Sequence, residues 1–227
     1  MDNTPANIEH LKQTLVIIPC FNEEGRIGRT IQEVKKILPL LHVAVINDAS
    51  TDNTAQEAIH AGATVLSHAS NLGYGAALET GYNYALQHQY ISILQMDGDG
   101  QHLAEELEKI MTPVFLDQAD MVIGSRYSRD GHPAITIPAL RRIGHRMFSF
   151  LVRLCCGIRI NDPTSGFQAI NRKSLKFLTE NGFPCDYPDS DVIIMSARSG
   201  LRILEIPVAM KERAGGKSMH SGFKPIY

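Results

Sequence analysis

Asp97 and Asp99 lie two residues apart with Gly98 between them and Gly100 behind, and of all the residues in the chain they are best suited to hold a hard cation. Two carboxylates at that spacing can converge through a tight turn, and oxygen donors of this kind suit Mg²⁺ or Mn²⁺, which keep water or a ligand phosphate in their remaining positions. A calcium loop is the rival pattern, because Asp97, Asp99, Gln101 and Glu108 fall where an EF-hand places ligands. It fails, since His102 stands where that loop needs glycine and the segment before it reads as a strand. An ordinary Asp-Gly turn is the simpler competitor. Two further polar clusters follow apolar runs, Pro19-Cys20-Phe21-Asn22-Glu23-Glu24 and Asn47-Asp48-Ala49-Ser50-Thr51-Asp52. Asp48 and Glu23 can accept from a base N–H or a ribose hydroxyl. Asn71-Leu72-Gly73-Tyr74-Gly75-Ala76-Ala77 offers backbone N–H groups at a helix start, where partial positive charge favours phosphate. It lacks the spacing of a dinucleotide fingerprint or a phosphate loop, so dinucleotide oxidoreductases and P-loop ATPases are poorly supported.

The elements that must position these residues are legible as short apolar runs: Leu15 to Ile18, Val43 to Ile46, Thr64 to Leu66, Ile91 to Met96 and Met121 to Ile123. They are β-branched and lack alternation, as strands covered on both faces do. Between them lie helical stripes, Ile27, Ile31, Val34, Ile37 and Leu38, then Leu103, Leu107, Ile110, Met111 and Val114. Thr54 with Glu57 reads as a capping box, and Gly62 as the end of that helix. Strand and helix in alternation predict an α/β fold with a mostly parallel sheet, whose ligands bind outside the carboxyl ends of the strands. After Arg126 the pattern loosens into a Gly/Pro-rich loop to Pro138, a long mixed helix from about Leu140 to Cys156, a strand near Phe167 to Ile170, and a strand pair around Leu201 to Met210. The expected organisation is one domain over 1–227, an alternating α/β half at 1–125 and a looser half at 126–227 grafted onto the same sheet.

Composition narrows the classes further. The 227 residues carry 22 basic and 24 acidic side chains, a net charge of -2, which gives no general field for nucleic acid. No run approaches about 18 apolar residues and no signal-peptide pattern opens the chain, so a cytoplasmic location is expected. Cys20, Cys155, Cys156 and Cys185 show no metal or redox spacing and read as small hydrophobes in a reducing compartment.

Taken in order, the motifs resemble the inverting glycosyltransferases of family two with the GT-A fold, and among them the polyprenyl-phosphate sugar synthases similar to dolichol-phosphate mannosyltransferase. The resemblance rests on Ile18 to Glu23, Asn47 to Thr54, Asn71-Leu72-Gly73, Asp97 to His102, Gly124-Ser125-Arg126, Asp162 to Phe167, Glu205-Ile206-Pro207, and Arg213 with Gly216-Lys217-Ser218. It implies that Pro19, Phe21, Asn22, Glu23 and Asp48 surround the base and ribose, with Gly73 beside the nucleotide. It also implies that Asp97, Asp99 and Gln101 hold the metal and diphosphate. Two departures are plain: the usual paired acids are Asn47-Asp48 here, and the usual glycine is Ala49.

Sugar transfer from a nucleotide leaves growing negative charge on the diphosphate. Mg²⁺ or Mn²⁺ on Asp97 and Asp99 would stabilise it, and Arg126, Arg213 and Lys217 can add to that. A lipid phosphate attacks without a base, whereas a hydroxyl needs one. Asp189 and Asp191 resemble the position where hydroxyl-accepting relatives keep that base, and both also suit a helix start. Arg141, Arg142, Arg146 and Arg153 alternate with Ile143, Met147, Phe148, Phe150, Leu151, Val152 and Leu154, a mixture that can lie on an anionic membrane surface or serve as a core helix with snorkelling arginines. The expected function is metal-dependent sugar transfer from UDP-sugar or GDP-mannose to a polyprenyl phosphate. A glycan hydroxyl acceptor and a sugar nucleotidyltransferase are the alternatives.

Overall fold

The computed structural model of the protein describes residues 5–127, 139–184 and 190–211. The chain runs through α1 (Pro5–Lys12), β1 (Thr14–Cys20), α2 (Ile27–Ile37), β2 (His42–Asn47), α3 (Thr54–His60), β3 (Thr64–Ser67), α4 (Tyr74–Gln87) and β4 (Ser92–Gln95). A 3-10 turn then leads into α5 (Leu107–Phe115), followed by β5 (Met121–Ser125), α6 (Ala139–Cys156), β6 (Gln168–Asn171), α7 (Arg172–Glu180), α8 (Ser190–Arg198) and β7 (Ile203–Pro207). The strands form one seven-stranded sheet in the order β3-β2-β1-β4-β6-β5-β7. Pairing is parallel throughout except at β6, which runs antiparallel between β4 and β5.

The missing alternation in the strands has the expected cause. In β1, Val16, Ile18 and Cys20 enter a core with Ile27, Ile31 and Val34 of α2 and Leu107, Ile110 and Met111 of α5. Leu15 and Ile17 face the other way, toward Ala77, Leu78 and Tyr82 of α4. Full burial of each such side chain contributes about 1.5–3 kcal/mol, so apolar residues fill both faces, and the buried polar ones, such as Thr14 and Gln95, are hydrogen-bonded. Ile37 departs from its stripe and is turned outward.

Two local expectations are corrected. Thr54 does not cap α3 with Glu57: Asn53 precedes the helix, Asp52 Oδ1 accepts the Thr54 N–H at 3.0 Å, and Glu57 instead accepts the N–H of Gly25 from the neighbouring loop. A carboxylate in the first turn goes to whichever N–H lacks a partner, and the sharp turn at Gly25 supplies one. At the other end Gly62, at φ +82°, closes α3 as expected, its N–H on Ile59 O and that of Ala63 on Ala58 O. The strand pair near the C-terminus is a single strand, β7, with an isolated bridge from Met210 to His102. After Pro207 the ladder to β5 ends, and the chain crosses toward the turn behind β4. The Gly/Pro-rich loop before Pro138 lies outside the described residues.

Candidate active site

The sheet order reverses between β1 and β4, since β2 and β3 lie on one side of β1 and the later strands on the other. Outside the carboxyl ends of those two strands a crevice must open, because the connections leave in opposite directions. Pro19 marks it. Ile17 O accepts from Met96 at the end of β4, so two residues on the Pro19 backbone faces the same side, where β4 has already turned away. A residue without an N–H leaves no ladder donor unpaired there.

Asp97 and Asp99 follow β4 into this crevice, and both are part-exposed. The Asp97 side chain is 30% exposed. Tyr74, at the start of α4, donates its hydroxyl to Asp97 Oδ1 at 3.1 Å. Burial pushes that phenol well up, with Asp97 adding to the effect, so it remains a donor. Gly166 closes the other side: a Cβ there would stand 2.6 Å from Tyr74 Oη and 3.1 Å from Asp97 Oδ1, so only glycine allows this approach. The Asp97 N–H donates to His102 Nδ1 at 3.0 Å, which places the ring proton on Nε2, and burial holds the ring neutral although Asp97 and Asp99 pull the other way. His102 stacks on Phe167 with centroids 4.7 Å apart. Asp99 Oδ1 accepts the Gln101 N–H at 3.0 Å, tightening the turn.

This donor set fits a hard divalent cation that is completed by its ligand. Among the described residues no group of three or more His, Cys, Asp and Glu gathers around one point; Asp97, Asp99 and Gln101 are hard oxygen donors by type. Both carboxylates also bear on the buried Cys20 thiol, which burial first and then Glu23, Asp97 and Asp99 push well up. Cys20 is therefore a packing residue, and Cys155 is exposed.

The wall expected to meet a nucleotide is latched internally. Asp48 is buried, with Oδ1 accepting Leu72 N–H and Oδ2 accepting Gly73 N–H, each at 2.8 Å, and His68 Nδ1 lies 2.7 Å from Oδ1. Both oxygens thus accept from the loop before α4, and Oδ2, bonded to Gly73 alone among the described residues, retains a second lone pair. The same bonds consume two of the N–H groups read as a phosphate site. Asn22, at φ +56°, accepts the Thr51 N–H and donates its own N–H to Ser50. Glu23 pairs with Arg26 at 2.7 Å, and its N–H donates to Thr54. Phe21 stands 46% exposed beside them, an apolar ring left bare at the crevice.

On the far side Arg126 forks onto Asp162, Nε to Oδ2 at 2.7 Å and Nη2 to Oδ1 at 2.6 Å, with Nη2 also donating to Thr164. Burial opposes the guanidinium charge, but Asp162 outweighs it and raises the group above its ordinary value. Glu205 of β7 accepts the N–H groups of both Asn161 and Asp162, fixing the loop that carries Gly166. His145 of α6 bridges Tyr127 and Thr164. Asp191 is exposed in the first turn of α8, and since α8 descends to the start of β7, that turn lies at the carboxyl edge of the sheet. Arg213, Lys217 and Asp189 lie outside the described residues. Sequence reasoning missed Tyr74, His68 and Asp162 as side chains of the site. Tyr74 and Asp162 lay within quoted motifs, but nothing local told what their side chains would touch.

Known proteins share both sequence and shape with this chain. The profile described as Glycosyl transferase family 2 matches residues 15–179. Polyprenol monophosphomannose synthase of Mycolicibacterium smegmatis is 29% identical over 96% of this chain and 84% of its own length. Undecaprenyl-phosphate mannosyltransferase of Micrococcus luteus is 30% identical over 92% of this chain and 88% of its own. Glucosyl-3-phosphoglycerate synthase from Mycobacterium tuberculosis, crystallised with Mn²⁺ and uridine-diphosphate-glucose, superposes with a TM-score of 0.67 at 20% identity, covering 95% of this chain and 78% of that one.

Proposed function

The chain belongs to glycosyl transferase family 2, is a glycosyltransferase and has the GT-A fold, and from that premise we propose that it moves a sugar, with inversion, from a UDP-sugar or GDP-mannose to a polyprenyl phosphate. The observation that carries this reading is the Asp97-Gly98-Asp99 turn at the crevice between β1 and β4, part-exposed, with Asp97 gripped by Tyr74 and closed in by Gly166. The two mannosyl-transferring relatives, alike over nearly their whole length, support the lipid phosphate acceptor, and the Mn²⁺ complex of the glucosyl transferase supports a divalent ion. A sugar nucleotidyltransferase is set aside by the family itself.

Asp97, Asp99 and Gln101 would hold Mg²⁺ or Mn²⁺, whose charge offsets the negative charge gathering on the departing diphosphate. The rest is done by the chain. Pro19, Phe21, Asn22 and Glu23 form a preorganised wall for the base and ribose, and Asp48 supports it by holding the loop through Gly73. Arg126 keeps Nη1 without a partner among the described residues and can offer it to the diphosphate, while Asp162 balances its charge. Arg213 and Lys217 are proposed to add positive charge. A lipid phosphate needs no base at neutral pH.

The face of α6 supports contact with the membrane that holds such a lipid. Residues 139–160 contain five arginines and no acidic residue in a chain of net charge -2. Met147, Phe150, Leu151 and Leu154, at helical spacing, are exposed along it. No helix among the described residues is long and apolar enough to cross a bilayer; the contact proposed, through the face of α6, is peripheral and at the cytoplasmic leaflet. Asp191, exposed at the edge of the site, is the observation that keeps a glycan hydroxyl acceptor as a second reading.

One assay tests both readings: release of UDP or GDP from a panel of nucleotide sugars with Mn²⁺, with polyprenyl phosphate or a glycan as acceptor. Asp97→Ala and Asp99→Ala should each lower turnover by at least about 100-fold, in keeping with the several kcal/mol such ions lend. Asp191→Asn should leave transfer to polyprenyl phosphate intact. Full activity in either alanine variant ends the metal assignment, and a dead Asp191→Asn transfers the case to the hydroxyl acceptor.

A further inference from the structure

Asp97 receives a one-way chain of hydrogen bonds from the core. Tyr82 Oη donates to Gln95 Oε1 at 2.6 Å, Gln95 Nε2 donates to Tyr74 Oη at 3.3 Å, and Tyr74 Oη donates to Asp97 Oδ1 at 3.1 Å. The direction is set at the outer end. A carboxylate only accepts, so the Tyr74 proton points to it, the Tyr74 oxygen is left to accept the Gln95 amide, and the Gln95 carbonyl turns to Tyr82. Tyr82 and Gln95 are buried, and the Tyr82 ring is packed edge-on against Phe183, so the inner links are closed to water. His102 Nε2 lies 3.9 Å from the other Asp97 oxygen, Oδ2, too far for a hydrogen bond.

We infer that Tyr74 is a positioning residue: by taking Oδ1 it fixes the Asp97 rotamer and leaves Oδ2 for the cation. The inference rests on the metal-dependent reading above and adds to it a side chain that acts through Asp97. Outer partners of this kind typically change metal affinity by about 10- to 100-fold.

The test measures binding of Mn²⁺, by the electron-spin signal of the free ion, in the presence of UDP or GDP. Tyr74→Phe keeps the ring and removes only the hydroxyl. It should weaken Mn²⁺ binding by about 10- to 100-fold, leave metal-free nucleotide affinity within about 2-fold, and regain kcat at excess Mn²⁺. Tyr82→Phe breaks a more deeply buried link farther from the carboxylate; it should lower Tm by at least as much yet move Mn²⁺ affinity by less than about 3-fold. Unchanged Mn²⁺ affinity in Tyr74→Phe, or an equal loss in Tyr82→Phe, overturns the assignment. If Tyr74→Phe does not fold, Gly166→Ala replaces it, since its Cβ would come 2.6 Å from Tyr74 Oη and 3.1 Å from Asp97 Oδ1 and so part the hydroxyl from the carboxylate. Wild-type Mn²⁺ affinity in that variant overturns the assignment equally. A wild-type protein that takes up no Mn²⁺ with either nucleotide sinks the metal reading, and this inference with it.

Discussion

Asp48 shows what a residue's type and position can and cannot tell. An acid at the end of the second strand is legible, but its partners, the N–H groups of Leu72 and Gly73, lie more than twenty residues onward and are brought in only by the return of β3. The neighbour, Ala49, stands at φ +58° where the resembling family keeps glycine. The left-handed region costs a residue with a Cβ about 1–2 kcal/mol, while glycine loosens the unfolded chain by about 0.4–1 kcal/mol. Strain is the larger of the two. Ala49→Gly should therefore stabilise the protein by about 0.5 kcal/mol and raise Tm by about 1–2 °C. Scanning calorimetry reads it, and a lower Tm would mean that the turn carries no such strain. Asn22 sits at a similar φ without the same expectation, because its short amide side chain tolerates that conformation and bonds to Thr51.

At the scale of the element, periodicity revealed type and place but not direction. The β-branched runs gave the parallel strands, and the three-and-four stripes gave α2 and α5. That β6 runs antiparallel was not legible, since alternation and composition are the same whichever way a strand points. Helix α7 escaped notice although Asn171 accepts the Ser174 N–H as an ordinary cap, because its apolar stripe is reduced to Leu175 and Leu178. Helix α6 was legible as mixed apolar and basic, and the structure divides it: Val152 and His145 turn inward, whereas Phe150 and Leu154 are 63% and 70% exposed. Each such side chain contributes about 1.5–3 kcal/mol on leaving water. Phe150→Ser with Leu154→Ser should reduce flotation on anionic liposomes by more than about 10-fold and leave Tm in place, since neither side chain is packed in the fold. Undiminished flotation would remove α6 from the membrane contact, and no flotation of the wild type would remove the contact altogether.

At the scale of the molecule, the crevice draws on both halves of the chain, and one buried ion pair braces the loop of the second half that faces the first. Arg126, leaving β5, meets Asp162 on the loop before β6, and Glu205 on β7 holds that loop by its N–H groups. The same loop ends in Gly166 against Asp97, so the carboxylate of one half is walled by the backbone of the other. The motifs that build this junction were all visible in the sequence, but as separate words; only the insertion of β6 between β4 and β5 makes them neighbours. Asp162 is wholly buried and the Arg126 side chain 19% exposed, so little solvent screens the pair. Removing one member of such a pair leaves a charge without a counterpart and costs about 3 kcal/mol or more. Asp162→Asn should lower Tm by about 6–12 °C. It should also reduce kcat, because Arg126 loses its aim and Gly166 its support. The nucleotide wall depends on bonds among Asn22, Thr51, Asp48 and Gly73 and not on this junction, so UDP or GDP affinity should stay within about 2-fold. Calorimetric titration of the folded variant separates the two: nucleotide affinity lost together with turnover would show that the crevice is one cooperative unit, and an unchanged Tm would show that the pair adds nothing to the junction.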